Sequence, residues 1–231
     1  MKNKLLIAVL LLSFSNLLAQ NLATRVYKLD QWKFAKNVPE MWSDVTVPHS
    51  CNSIDGRSAS YFRGKSYYKK TIDVTAEMMN SDLFLLFEGA AQAAKVNING
   101  KQAAYHKGGY TPFVVSLNGL IKHGSNEIIV ECDNRLDPNL IPVHSDFNKN
   151  NGLHNPVSLL DMGTLYFSPT QYGLYRMHLS TPLVTSKKAD TMVETMIKNS
   201  SSKKEKLTVN LTLKNREGDV CFKDSTRVEL L

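Results

Sequence analysis

The stretch Leu83–Phe113, LFLLFEGAAQAAKVNINGKQAAYHKGGYTPF, decides the fold class of this chain. Residues 83–87 are continuously apolar, which is typical of a strand buried on both faces. Residues 95–98 alternate between polar and apolar side chains, as in a strand with one face toward water. Asn99 and Gly100 then supply the two positive-φ residues that a tight hairpin requires. The stretch therefore predicts the centre of a β-sandwich.

The rest of the chain repeats short strands separated by turns. A strand after Trp42 is expected to end at Pro48, because proline cannot donate to a strand ladder. Further strands are predicted at Tyr67–Val74 and at Glu127–Asn134. In the first, Tyr68, Lys70, Ile72 and Val74 share one face, and the aliphatic end of this set is expected to pack inward. The sequence contains no convincing amphipathic helix. An all-β sandwich of the jelly-roll type follows from this pattern.

The first residues differ in kind from the rest of the chain. Lys2 and Lys4 precede an apolar run from Leu5 to Leu12, and small or apolar residues continue to Ala19. This pattern predicts a secretory signal peptide over residues 1–19, and hence an exported, soluble protein that is periplasmic or extracellular. The alternative is an uncleaved membrane anchor, but the apolar run is shorter than the roughly 20 residues that span a bilayer.

Composition and charge exclude several classes of partner. With 231 residues, of which 42% are hydrophobic, the chain can bury one good core and part of a second. The formal net charge of +7 includes Lys2 and Lys4, so it falls by two when the signal is removed. The other basic residues are dispersed, apart from Lys203–Lys206, where a solvated loop is favoured over a polyanion site. We therefore expect no nucleic-acid partner, and no membrane partner after signal cleavage.

The three cysteines, Cys51, Cys132 and Cys221, leave at least one thiol unpaired in an oxidising compartment. Cys132 lies on the apolar face of a predicted strand, where a buried free thiol is expected. The cysteine spacing matches no zinc motif, and the six histidines show no paired metal spacing. We therefore predict no metal site and no cofactor.

Several motifs resemble one enzyme family. FEGA, KVNINGK and HKGGYTPF, within residues 87–113, are similar to the N-terminal sugar-binding domain of family 2 glycoside hydrolases, the β-galactosidase, β-glucuronidase and β-mannosidase group. The resemblance extends to the Val-Pro-His segment at residues 47–49 and to an N-x-I-x-V-x-x-D-N pattern at residues 126–134. It covers most of the chain between the signal segment and the C-terminal strands.

The chain departs from the family pattern at Gly152–Val157, GLHNPV. His154 and Asn155 stand where the family usually has tyrosine and arginine. Asn155 lacks the bidentate donor of an arginine, which affects a local contact and not the fold. A second match, Gly173–Arg176, fits the letters better, but the order of the segments that follow favours the first.

After the signal peptide predicted at residues 1–19, the resemblance implies a jelly-roll sugar-binding domain at 20–182 and part of an immunoglobulin-like sandwich at 183–231. The last segment is expected to be incomplete, because such a sandwich needs about 100 residues. In the family, both catalytic glutamates come from a (β/α)₈ barrel that follows these domains. This sequence shows no alternation of strands and helices, which is the pattern that would indicate such a barrel. The resemblance therefore implies an enzyme portion that is inactive alone, with no catalytic residue of its own.

Two carboxylates could suggest independent catalysis. Glu131 and Asp133 share one face of a predicted strand at a separation of about 7 Å, which falls loosely within the range of inverting glycosidases. Alternating polar residues on a wet strand face explain the same pattern, and that interpretation is favoured. No nucleophile elbow or phosphate loop is present in the sequence.

Sugar binding is the remaining prediction, with a carbohydrate β-glycoside and the catalytic barrel as partners. Aromatic faces and planar polar side chains recognise sugars, and two loops offer them, at residues 55–63 and 133–146. The candidate sugar-binding residues are Asp55, Tyr61, Arg63, Asn134 and Asp146. Structural roles for these polar loop residues are an open alternative. A second hypothesis is a stand-alone, non-catalytic carbohydrate-binding or adhesion module.

Overall fold

A computed structural model describes residues 24–55, 60–90, 92–140, 149–169, 177–186 and 188–231 of the chain. The predicted signal peptide lies outside these residues. Thr24–Gly163 forms one compact unit, and Thr164–Leu231 belongs to a second. The predicted domain boundary after residue 182 lies inside a strand of the second unit. Within the described part of the chain, no helix has the length and apolar character needed to cross a bilayer.

The first unit consists of antiparallel strands joined by short loops, as the turn-punctuated sequence predicts. Its strands are β1 (Arg25–Lys28), β2 (Gln31–Lys36), β3 (Ser43–Thr46), β4 (Lys65–Val74), β5 (Leu83–Phe87), β6 (Ala93–Ile98), β7 (Lys101–Lys107), β8 (Phe113–Ser116), β9 (Gly124–Asp133) and β10 (Val157–Asp161). Two single 3₁₀ turns, at Ser53–Asp55 and Met78–Asn80, are its helical segments among the described residues.

These strands form two sheets. One has the order β1-β10-β5-β8, and the other has the order β3-β2-β4-β9-β6-β7. Apart from the hairpin pairs β2-β3 and β6-β7, most consecutive strands lie in different sheets, so the chain crosses repeatedly between the sheets, as in a jelly roll. The longest ladder joins β4 to β9, from Lys65 opposite Asp133 to Val74 opposite Gly124. The predicted all-β sandwich is confirmed.

The core lies between the two sheets and contains side chains from both. The four-stranded sheet contributes Leu83, Leu85, Phe87, Phe113, Val115, Val157 and Leu159. The six-stranded sheet contributes Trp32, Tyr68, Ile72, Val74, Ala94, Val96, Ile98, Ile128, Val130 and Cys132. All five residues of β5 are buried, which confirms that this continuously apolar strand is covered on both faces. Cys132 is a fully buried free thiol, as expected.

The hairpin between β6 and β7 closes at the predicted Asn-Gly turn. Asn99 has φ of 49° and Gly100 has φ of 80°, so both central residues adopt the left-handed conformation of a type I′ turn. In β6, Val96 and Ile98 are buried while Lys95 and Asn97 are partly exposed. The alternation predicted from the sequence therefore places one face of β6 in the core and the other toward water.

The second unit consists of antiparallel strand pairs. Its strands are β11 (Leu165–Phe167), β12 (Met177–Val184), β13 (Ala189–Thr195), β14 (Ile197–Asn199), β15 (Glu205–Lys214) and β16 (Val220–Leu230). They pair as β11 with β14, β12 with β13, and β15 with β16. On β15, Leu207, Val209, Leu211 and Leu213 are partly buried, in agreement with the shared apolar face read from the sequence.

Candidate functional site

Buried asparagines join the loops at one end of the six-stranded sheet through hydrogen bonds. Asn52 follows β3 and is 4% exposed. Its amide nitrogen donates to the carbonyl oxygen of Lys149 at 2.8 Å and to that of Phe62 at 3.4 Å. Its amide oxygen accepts from the backbone N–H of Asn151 at 3.0 Å and from the hydroxyl of Ser50 at 2.9 Å. One side chain thus joins three loops that are far apart in sequence.

Asn134, one of the predicted sugar-binding residues, has no exposed surface. Its amide nitrogen donates to the carbonyl oxygens of Phe62 at 2.9 Å and Lys149 at 3.0 Å. Its amide oxygen accepts from the backbone N–H of Gly64 at 2.9 Å and from the side-chain amide of Asn151 at 3.0 Å. Both donors and both acceptor positions of this amide are therefore occupied. In this arrangement, Asn134 positions the loop before β4 and has no polar position left for a sugar.

Asn151 completes the network. Its amide nitrogen also donates to the carbonyl oxygen of Gly64 at 2.7 Å, and its amide oxygen accepts from the Ser66 hydroxyl. Its backbone carbonyl accepts from the N–H of Cys51 at 2.9 Å. Polar groups buried in this way stabilise a single arrangement, because each unsatisfied group would retain its desolvation cost.

The loop held by these asparagines presents the predicted residues Asp55, Tyr61 and Arg63. The Asp55 carboxylate accepts from the backbone N–H of Phe62 at 2.8 Å. The Arg63 guanidinium carbon lies 4.5 Å from the centre of the Tyr61 ring, in cation–π contact. Tyr61 is only 8% exposed, whereas Arg63 is exposed. Of the three predicted residues, Arg63 is therefore the one that can reach a ligand, with Tyr61 beneath it and Asp55 accepting a bond from the loop backbone.

The second predicted loop begins beside a surface pocket. Asp146 lies outside the described residues. The pocket has a volume of about 330 Å³ and is lined by Ala93, Tyr105, Asp133, Arg135, Leu136, Asp137 and Leu140. Arg135 donates to both carboxylate oxygens of Asp133, the shortest contact being 2.6 Å, and Lys107 pairs with Asp137 at 2.8 Å. Ion pairs therefore line a pocket that also contains an aromatic ring.

The carboxylate pair considered for catalysis is engaged in ion pairs. Glu131 lies 2.8 Å from the ammonium of Lys65 and 3.6 Å from that of Lys95. Burial alone would raise the pKa of Asp133, but the hydrogen bonds from Arg135 outweigh it and hold that pKa below its usual value. A general acid needs a raised pKa. The structure therefore favours the wet-face interpretation of these two carboxylates.

The departure from the family pattern, GLHNPV, lies beside the Gly-Gly-Tyr loop. The Asn155 amide donates to the carbonyl oxygen of Glu88 at 3.0 Å. The His154 ring packs edge-on against Tyr110, with ring centres 5.4 Å apart, and burial lowers its pKa. The substituted asparagine thus fixes the chain at the end of β5. Among the described residues, no group of three or more His, Cys, Asp or Glu side chains could hold a metal ion.

The fold and these motifs have counterparts among known proteins. Residues 20–163 match the model of the sugar-binding domain of glycosyl hydrolases family 2. The chain belongs to this family. A putative β-glucuronidase of Formosa agariphila is 31% identical over 173 residues, which are 74% of this chain and 20% of that protein. A β-glucuronidase of Bacteroides fragilis is 29% identical over 171 residues, which are 73% of this chain and 25% of that protein.

A solved family 2 relative has the same architecture. The crystal structure of a putative β-galactosidase from Bacteroides fragilis aligns with a TM-score of 0.80 and 29% identity. It covers 90% of this chain and 34% of the other. The chain thus spans about a fifth to a third of the lengths of these relatives. The resemblance to family 2 glycoside hydrolases, and to their sugar-binding domain, is confirmed.

Sequence reasoning missed Asn52, Asn151 and Ser66. Asn52 and Asn151 are hydrogen-bonded to each other although they are 99 positions apart in the sequence. The sequence does contain one signal of the network, because asparagines recur in three loops beside strand ends. Only the fold brings those loops together, so the signal could not identify their partners.

Proposed function

We propose that this chain is the N-terminal sugar-binding and scaffold portion of an exported family 2 β-glycosidase that resembles the β-glucuronidases and β-galactosidases. In this proposal the chain is inactive alone, and hydrolysis of O-glycosyl bonds requires a barrel that supplies two glutamates. The family match over residues 20–163 and the glucuronidase relatives support it.

The observation that carries the proposal is the fixed loop at residues 61–64. Asn134 and Asn151 hold its backbone, and Arg63 is left exposed on a buried Tyr61. A pre-positioned guanidinium loses little freedom on binding and suits hydroxyl or carboxylate groups of a sugar. We propose that Arg63 reaches the rim of the barrel's sugar pocket, with Asp146 as a further candidate from the second loop.

Three measurements test this function. Reading the coding sequence beyond Leu231 should show a barrel with its two glutamates, and a stop codon there would contradict the proposal. The encoded enzyme should hydrolyse 4-methylumbelliferyl β-glucuronide or β-galactoside, whereas residues 20–231 alone should hydrolyse neither. Arg63→Ala should lower kcat/KM by roughly tenfold or more, and Arg216→Ala, an exposed arginine of the second unit, should not. Equal effects of the two variants would remove Arg63 from the site.

Export is tested on the mature protein. Secretion followed by intact-mass measurement should yield a chain that begins at Gln20, because the predicted cleavage follows Ala19. A protein that retains Met1 and stays inside the cell would contradict export without affecting the assignment of the domain.

A further inference from the structure

The outward face of the six-stranded sheet has a row of four side chains that lie directly opposite one another. Tyr67 on β4 pairs with Glu131 on β9, Glu131 pairs with Lys95 on β6, and Lys95 pairs with Tyr105 on β7. Residues directly opposite in an antiparallel ladder share a face. Their neighbours along the strands, Tyr68, Val130 and Val96, point into the core. The row therefore lies on the side of the sheet away from the core.

Aromatic rings occupy both ends of this row. Tyr105 is 58% exposed, and Tyr67 is partly exposed. Three strand spacings separate them, which amounts to about 14 Å. A third ring, that of Trp42, lies on the same face, since its centre is 4.5 Å from the ammonium of the outward residue Lys69. Rings spaced in this way across an outward sheet face offer apolar platforms to a chain of pyranose rings rather than to one sugar.

The charges between the rings are unbalanced. Glu131 is shared by the ammonium groups of Lys65, at 2.8 Å, and Lys95, at 3.6 Å. One carboxylate thus faces two cations, and the Lys95 contact is the longer one. Lys69 adds a further cation that packs on an aromatic ring. Asp133, on the same face and opposite Lys65, is paired with Arg135 at 2.6 Å. With that pair counted, the centre of the row keeps a local excess of positive charge, which favours anionic ligands.

The face continues into the pocket already described. Tyr105 and Ala93 belong both to the outward face and to the lining of that pocket, where Arg135 and Asp137 also lie. A ligand lying on Tyr105 therefore extends into a concave, polar space at one edge of the sheet. This continuity gives the sheet face a concave end, which a purely solvated sheet surface lacks.

We propose that the outward face of the six-stranded sheet is a second carbohydrate-binding site, which binds an acidic glycan chain laid across the strands. Tyr67 and Tyr105 stack against its sugar rings, and Lys95 and Lys69 contact its carboxylate or sulfate groups. The side chains of this site are different from those of the loop that presents Arg63. The site would hold a polymeric substrate near the enzyme whether or not Arg63 reaches the catalytic pocket.

Titration calorimetry with oligosaccharides tests this site. The probes are oligogalacturonates, which carry carboxylates, and chondroitin sulfate oligosaccharides, which carry both groups, with cello-oligosaccharides as the neutral control. We expect binding to at least one acidic probe, weakening as the sodium chloride concentration rises. Affinity should increase with oligosaccharide length until the row is spanned. Absence of binding to both acidic probes, or equal binding of the neutral probe, would overturn the proposal.

Matched variants locate the binding. Tyr105→Ala should weaken acidic-glycan binding by roughly tenfold or more, as truncation of an aromatic anchor does. Tyr110→Ala is the control, because Tyr110 is similarly exposed, at 49%, on the Gly-Gly-Tyr loop. Lys95→Met should weaken binding of the acidic probes and reduce its salt dependence, while keeping the apolar stem of the side chain. Equal losses in Tyr105→Ala and Tyr110→Ala, or an unaltered salt dependence in Lys95→Met, would refute the site.

The loop that presents Arg63 provides the last comparison. Arg63→Ala should leave acidic-glycan binding unchanged if the sheet face is the site. Loss of binding in Arg63→Ala with full retention in Tyr105→Ala would place the glycan on the rim and overturn this inference. Loss of catalysis in Arg63→Ala without loss of acidic-glycan binding supports both proposals. The two proposals therefore fail in distinguishable ways.

Discussion

Replacing Asn134 by alanine tests whether the buried asparagine network holds the candidate site. The substitution leaves two donors without a partner: the backbone N–H of Gly64 and one hydrogen of the Asn151 amide. The carbonyl oxygens of Phe62 and Lys149 are less affected, because the Asn52 amide still donates to both. Each orphaned buried donor costs about 1–3 kcal/mol. We therefore expect Asn134→Ala to lower the free energy of unfolding by about 2–6 kcal/mol.

Urea unfolding provides the measurement. Trp32 is 2% exposed in the core, so its fluorescence reports the unfolding of the first unit. The control is Asn80→Ala, because Asn80 is exposed and its side chain donates a single bond, to the carbonyl oxygen of Ala76 at 3.1 Å. That variant should lose no more than about 1 kcal/mol. If Asn134→Ala and Asn80→Ala are equally stable, the network does not stabilise this end of the sandwich.

Three further predictions concern packing, titration and thiol reactivity. Gly152→Ala should lower the free energy of unfolding in urea far more than Gly119→Ala does. Both glycines have positive φ. A Cβ at Gly152 would lie 2.7 Å from a backbone oxygen, whereas a Cβ at Gly119 would have no atom within 4 Å. Burial lowers the pKa of His154, so the free energy of unfolding should fall as the pH drops below about 6.5. In His154→Gln the free energy of unfolding should fall less over the same pH range. Exposed Cys221 should react quickly with a thiol reagent, and buried Cys132 only after unfolding.

Each of these predictions has an outcome that would contradict it. Equal unfolding midpoints for the two glycine variants would show that the chain at Gly152 can move away from its neighbours. An identical pH profile for His154→Gln would exclude His154 as a source of the acid sensitivity. Rapid modification of all three thiols in the folded protein would contradict the packing of Cys132 against the core.

The fold could be predicted because its signals are local. The continuously apolar Leu83–Phe87 indicates a doubly covered strand from five adjacent residues. The Asn99-Gly100 turn fixes a hairpin through its own backbone conformations. Alternation along β9 places Cys132 in the core and Glu131 toward water without reference to any partner strand. Each of these conclusions uses a repeat that a strand imposes on its own side chains.

The candidate site was less predictable because its bonds are long-range. Asn52, Phe62, Asn134 and Lys149 lie in four separate parts of the sequence, and each is an ordinary polar or aromatic loop residue there. The pairing of β4 with β9 sets Lys65 opposite Asp133 and so brings Phe62 and Asn134 together, and the backbone bond from Cys51 to Asn151 brings Asn52 to the same place. The outward row from Tyr67 to Tyr105 has the same character, since it depends on the register of three ladders.

Arg63 and Asn134 enter the sequence prediction with the same role, and the structure gives them different chemistry. Arg63 is exposed and stacks on Tyr61, so its removal should change ligand contacts and leave the free energy of unfolding within about 0.5 kcal/mol. Asn134 is buried and saturated with hydrogen bonds, so its removal should lower stability and also displace the loop that presents Arg63. A loss of catalysis in Arg63→Ala at unchanged stability would therefore assign the contact to the arginine. A loss confined to Asn134→Ala would assign it to the position of the loop.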